Sequence, residues 1–539
     1  MIPGLWPHAV SSFVILSYYI ILSRVCQPFF EFFINIFHQI FIRFFIRFFI
    51  YFLYLSFIVH VIILLDVSAI SPMFLGKTFI GITFLGGFTI MKKKIDLING
   101  PILSSLTRLA IPIMATSLIQ MAYNMIDMIW IGRLGSSAVA SIGAAGMYMW
   151  LANGLVTLTR MGGQVHVGHA IGSGDSELAG HYGSTAFQMT ILLGILYGLL
   201  CIFAAKPLIS FFHLNSPDVI NDAVSYLMIT CGLIIFSFLN QIFTGLFTAI
   251  GNSHPAFLST SAGLFINIIL DPILIFGIGP FPALNVAGAA LATVLAQMIV
   301  TLLFLFFALK DNILFHQIHL FRRLDFNLAA SILRLGLPSC LQSLVFTGIS
   351  MIVARLVAGY GDAAVAVQKV GAQIESISWM TSDGFSSAVN SFIAQNHGAR
   401  KEDRIRAGYR CALKIVLPWG LFCTILLIVF PVPIFKIFIT EPDVIPMGIS
   451  YLMILGISQL FSSLEIMTSG AFCGYGKTLP PSVSGITLNI MRIPLALILT
   501  ATPLGLNGIW WSISISSILK GIILFIWFQI MLKKCYNYK

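Results

Sequence analysis

Asp127 is a carboxylate in an unfavourable solvent. It lies in TSLIQMAYNMIDMIWIGRLGSSAVASIG, residues 116–143, an apolar run long enough to cross a bilayer as a helix. A charge at such a depth costs roughly 2.5–3.5 kcal/mol on insertion scales, so an acid kept there is a candidate functional group. Ser117, Gln120, Asn124 and Asp127 follow helical spacing and line one face. That face can glue one helix to another through hydrogen bonds, or hold a cation or proton beside a wet cavity. A second polar helix favours the cavity. In NIILDP, Asn267 and Asp271 stand four apart and share a face with Ser259 and Gly263. Two carboxylates and an amide oxygen are hard ligands, suited to a small cation or a shared proton. The competing use of Asp271 is to cap a helix end ahead of Pro272. Thr293, in GAALAT, is a further candidate oxygen.

Other polar residues inside apolar runs are Glu375, Asp383 and Glu465, with Ser462 and Ser469 on the face of Glu465. Glu375 and Glu465, like Gln120 and Asn124, are candidates for a substrate cavity. Arg160, Arg355 and Arg492 are the basic candidates, as partners for carboxylates or helix-end carbonyls. Pro112 stands ahead of that run on the same expected span; inside a helix it removes a backbone hydrogen bond and makes a kink or hinge, whereas near a span's end it would be unremarkable. His166 and His169 have a spacing that is weak evidence for a metal. The stretch AFCGYGKT falls a glycine short of a phosphate-binding loop and leaves a membrane helix where that motif needs a strand. No energising ATPase is legible.

The elements that must position these groups follow from composition. The chain has 539 residues, 58% hydrophobic and 9% charged, with mean hydropathy +0.97, whereas soluble domains carry about 25% charged residues. Apolar runs of about 20 residues recur, so the fold class is an all-α polytopic membrane protein. The formal charge of +11 sits mostly in short loops and reports orientation in a membrane, not nucleic-acid binding. The eight cysteines are scattered and read as small core residues.

Residues 1–90 have a different texture, with 17 of the 46 Phe in runs such as FIRFFIRFFIYFLYL. They read either as additional membrane helices or as upstream sequence outside the functional protein. MKKKIDLINGP, from Met91, looks like an ordinary start, and a chain beginning there is expected to insert and transport normally. From Met91 the pattern predicts twelve spans. Basic loops (Lys310, Arg322, Arg323; Arg400, Lys401, Arg404, Arg406, Arg410; Lys477) alternate with acidic ones (Asp218, Asp222; Asp362; Glu441, Asp443). The positive-inside rule then puts both ends of the core in the cytoplasm, which requires an even number of spans.

The core is also an internal repeat. Arg108-Leu109-Ala110-Ile111-Pro112 returns as Arg334-Leu335-Gly336-Leu337-Pro338, Gly135 as Gly361, Gly251 as Gly476, Asn267 as Asn489, and Gly288 as Gly508. The expected domains are an extension over 1–90, a six-helix lobe over 91–310, a cytoplasmic linker over 311–332, and a second six-helix lobe with tail over 333–539. Two lobes of like orientation are related by an axis along the membrane normal, and transporters of this build bind substrate between them.

Taken together, NMIDMIWIGRLGSSAVASIG, FIAQNHGARKEDR, GNSHP, GYGKTLPP, NIILDP and RIPLA resemble the multidrug and toxic compound extrusion (MATE) family, in its DinF-like and archaeal-like branch. The resemblance covers the core from Met91 to Lys534; residues 1–90 have no counterpart in it. It implies two lobes around a V-shaped cleft, and export of cationic, amphipathic compounds in exchange for Na+ or H+, without a cofactor. By position it carries a cation site onto Asp127, Asn267, Asp271 and Thr293, and a helix bend onto Pro112. Phe346 and Ser462 stand where another branch has carboxylates, so a second cation site lacks those acids unless Glu465 compensates for them. VHVGHAIG departs from the family's more usual glutamine-containing form. The expectation is a monomeric, multi-pass inner-membrane antiporter with the bilayer and a small-molecule substrate as its partners. The rival is a lipid-linked oligosaccharide flippase of the same superfamily, which should show a cationic cavity. An intramembrane enzyme has no motif to support it.

Overall fold

The computed structural model describes residues 95–537 except 213, 215, 279–281 and 440. The expected 1–90 extension and the basic lead Lys92, Lys93 and Lys94 lie outside the described residues. The first half of the core runs through α1 (Ile102–Gly132), α2 (Ser136–Ser173), α3 (Ser176–Phe203), the short α4 (Ala205–Ser210), α5 (Pro217–Thr230), α6 (Ile235–Ala249), α7 (His254–Phe276) and α8 (Asn285–Leu309). The second half runs through α9 (Phe326–Ala358), α10 (Asp362–Gly398), α11 (Glu402–Val429), the short α12 (Pro431–Lys436), α13 (Ile445–Gly474), α14 (Leu479–Ile490), α15 (Arg492–Thr500) and α16 (Leu506–Asn537). Among the described residues, ten helical segments are each long and apolar enough to cross a membrane. The pair α5 and α6, bent by 45°, supplies an eleventh. The remaining predicted span is α10, which is too polar to pass on composition. It packs against α13, α1 and α2, so its serines, glutamines and asparagines face protein instead of lipid.

Local chemistry places the breaks. Gly174 (φ 82°) ends α2 in the left-handed region, and the Asp175 side chain then accepts from Leu178 N–H to start α3. The expected linker is shorter than predicted: Asp325 caps Asn327 and Leu328, so α9 begins at Phe326. Pro112 is interior to α1, and its repeat partner Pro338 is interior to α9. The repeat is visible in the backbone as well. Gly135 and Gly361 have φ of 103° and 101°, and Gly251 and Gly476 have 79° and 80°.

The halves pack backbone against backbone along part of their interface. Gly336 lies against the Leu158 carbonyl, Gly172 against that of Gln395, and Gly398 against that of His169, each so close that a side-chain carbon would overlap. These contacts gather where α2 and α10 end and α9 begins, beside the basic loop of Arg400 and Lys401. Toward the opposite end, a carbon added at Gly143, Gly146 or Gly348 would meet nothing within 4 Å.

Candidate functional site

In the first half, α1 carries Asp127, α7 carries Asn267 and Asp271, and α8 carries Thr293. The structure brings all four together. Asn267 Nδ2 donates to Asp271 Oδ1 at 3.2 Å, and both side chains are buried. Helix α7 continues through Pro272 to Phe276, so Asp271 is not capping a helix end. Asp127 and Asp271 lie within electrostatic reach of one another. Two tyrosines complete the site and went unremarked in the sequence. Tyr123 shares a 3.3 Å hydrogen bond with Thr293 Oγ1, and Tyr226, from α5, lies within electrostatic reach of Asp127 and Asp271. Tyr123 stands one turn before Asp127, which is the only signal that could have found it.

The decisive feature is what the oxygens lack. Asp127 Oδ1, Asn267 Oδ1, Asp271 Oδ2 and Ser259 Oγ are buried with no hydrogen-bond partner among the described residues. Buried polar atoms are ordinarily satisfied, and two carboxylates within electrostatic reach of one another, away from water, favour taking up a proton or a cation. The donors are carboxylate, amide and hydroxyl oxygens, which fit a small hard cation or a proton. Among the described residues no group of three His, Cys, Asp or Glu is arranged to hold a metal ion.

The second half has its own polar interior. Glu465 on α13 pairs with Lys520 on α16 at 3.0 Å. Arg492 donates to Ser516 Oγ at 2.7 Å and to Ser517 Oγ at 3.2 Å, and its guanidinium lies 5.9 Å from the Phe346 ring centre. Glu375 Oε2 accepts from Gln459 Nε2 at 3.1 Å. Glu465 is therefore committed to an internal cation. Lys520 was missed, although it stands alone in the apolar run GIWWSISISSILKGIILFIWF, where its charge was its own signal. Of the other candidates, Gln120 is exposed on α1 and Asn124 lies on the same helix. Arg355 is exposed in the last turn of α9, and Arg160 lies within electrostatic reach of Asp383 across the halves. His169 Nε2 donates to the Gly474 carbonyl at 2.9 Å, and His166 stacks on Tyr182, which are packing roles.

The MatE family profile matches residues 112–273 and 338–498, once in each half and over more than half of the chain. The chain belongs to the MATE family. Relatives of this MATE transporter include "Probable multidrug resistance protein NorM" of Thermotoga maritima, 26% identical over 419 residues, covering 75% of this chain and 87% of that one. The "FAD transporter" of Shewanella oneidensis is 27% identical over 446 residues, covering 80% and 95%. Among solved structures, a MATE in complex with MaD3S superposes with TM-score 0.77 at 24% identity, covering 83% of this chain and all of that one. A MOP superfamily transporter from Pyrococcus furiosus gives TM-score 0.76 at 24% identity, covering 82% and 98%. These likenesses show that the MATE fold extends over the whole described core.

Proposed function

We propose that this MATE transporter is a secondary antiporter that exports organic, cationic amphipathic compounds in exchange for Na+ or H+. The observation that carries the reading is the first-half site, where Asp127, Asn267 and Asp271 present buried, unpartnered oxygens and, among the described residues, no ion pair. Such a site gains when it takes up a cation or proton. A protein built of two such halves, packed closely across their interface, can couple that gain to exchange of access by moving one half against the other. Relatives named as multidrug resistance proteins support organic substrates, and the FAD transporter among them allows a substrate that is not a simple cation. The alternating loop charges support an inner-membrane location with the basic-loop end in the cytoplasm. The flippase reading gains no support, because Lys520 is held by Glu465 and Arg492 by two serines.

The test is transport of ethidium or tetraphenylphosphonium in proteoliposomes with sodium and pH gradients imposed separately. One gradient should drive export, and Asp127→Asn should abolish it while leaving the protein inserted. Export at near wild-type rate by Asp127→Asn under a verified gradient would place Asp127 in a structural role.

A further inference from the structure

The antiport reading requires the halves to part at the basic-loop end, and the structure shows a segment that ties them there. Residues 95–100 precede α1 and so belong covalently to the first half. Ser105 Oγ, in the first turn of α1, donates to the Asp96 carbonyl at 2.9 Å. The Asp96 carboxylate accepts from Ile98 and Asn99 N–H at 2.9 and 2.8 Å, rolling the segment into a turn. On its other side the same turn is held by the second half. Asn396 Nδ2, in the last turn of α10, donates to the Leu97 carbonyl at 2.9 Å. Arg404 on α11 reaches the Leu97 and Gly100 carbonyls, and Lys401 Nζ donates to Asn99 Oδ1 at 2.6 Å. Leu97, only 1% exposed, packs into the cluster of Phe392, Ile405 and Phe528, all from the second half.

We propose that residues 95–100 form a strap that locks the basic-loop end shut, and that its release from Asn396, Lys401 and Arg404 is an obligatory step of the transport cycle. The inference rests on the antiport reading, since it presumes that this end opens. The strap's grip is suited to the task. It consists of one apolar anchor and a few hydrogen bonds to backbone oxygens and to the Asn99 side chain, which can be broken and remade without unfolding a helix. The groups that hold it lie on the second half, where α10 ends and α11 begins, so separation of the halves must pull them from it.

The experiment uses the full chain with Asn99→Cys and Lys401→Cys together, both exposed positions, joined in proteoliposomes by a reducible bis-methanethiosulfonate reagent. The cross-linked protein should export at least tenfold more slowly, and reduction should restore the rate. Each single variant treated alike should keep wild-type export. Undiminished export by protein shown by mass spectrometry to be cross-linked overturns the strap. Absence of ion-driven export in wild type and singles alike would instead overturn the antiport reading. In a second arm, Leu97→Ala should make an Ala394→Cys thiol at the seam react faster with maleimide from the basic-loop side. Unchanged reactivity there counts against the strap as the lock.

Discussion

Each half of this MATE transporter buries a polar cluster, and the two differ in whether basic side chains stand among the acids. In the first half the charges are Asp127 and Asp271, with Asn267, Thr293, Tyr123 and Tyr226 around them and several oxygens left unpartnered. In the second half Glu465 has Lys520 and Arg492 has Ser516 and Ser517, so these cations are part of the chain, while Glu375 takes one bond from Gln459 and leaves Oε1 unpartnered among the described residues. A buried carboxylate must find a counter-charge or a proton somewhere. The second half supplies its own and thereby ties α13, α15 and α16 together. On the proposed antiport reading, the first half leaves its place open to an ion that comes and goes, and the duplicated architecture serves once for exchange and once for fastening.

The sharpest way to break the comparison is to neutralise the acids of the first cluster. Asp127→Asn or Asp271→Asn should reduce ion-driven export to background while the protein stays folded, because an amide keeps the shape but cannot take up or release a proton. The double variant should be little worse than either single, since both act on one site. Measuring gradient-driven efflux in proteoliposomes alongside a thermal unfolding midpoint separates loss of coupling from loss of fold.

The second cluster should answer in the opposite way. Lys520→Met strands Glu465 in the interior and should destabilise by about 3–5 kcal/mol, whereas Lys520→Met with Glu465→Met should recover most of that loss. Denaturation in detergent measures both. A first-half response at this site, with export lost and stability untouched, would mean that the second cluster also exchanges an ion.

How much of this difference was legible beforehand depends on where the information sits. Asp127, Asn267 and Asp271 could be read because a polar atom in an apolar helix advertises its cost, and helical spacing then aligns its neighbours. Pro112 and Pro338 were readable because proline has one meaning inside a helix. Lys520 was equally conspicuous, but its meaning depended on finding Glu465 opposite, and a tertiary pairing between α13 and α16 leaves no periodic trace. Tyr123 and Tyr226 pass for ordinary aromatic residues until α5 is folded beside α8. Composition also concealed α10 as a span, because it is buried against protein and has no need to be apolar.

A smaller effect tests whether the tyrosines belong to the exchange site. Tyr123→Phe removes a hydroxyl hydrogen-bonded to Thr293 and should weaken uptake of the coupling ion by about 1 kcal/mol, a several-fold shift in the ion concentration that half-saturates export. Ser516→Ala removes an equivalent hydroxyl from the second cluster and should leave that concentration unchanged.

The smallest effect contrasts both buried clusters with a charge in water. Asp96 lies outside the spans, and the backbone hydrogen bond from Asn99 holds its carboxyl below the usual carboxylate range, helped by the bond from Ile98 and the nearby Arg404. A depressed value in the folded state means that the ionised form binds the fold better than the protonated one. The associated stability is present above the unfolded carboxylate value, about 3.9, and is lost as pH falls through the folded value. Asp96→Asn should therefore unfold slightly more readily than wild type at pH 7, and the gap should close in acid below about pH 4. A gap that persisted unchanged into acid would mean that Asp96 acts through its shape, and that its charge contributes nothing to holding the turn.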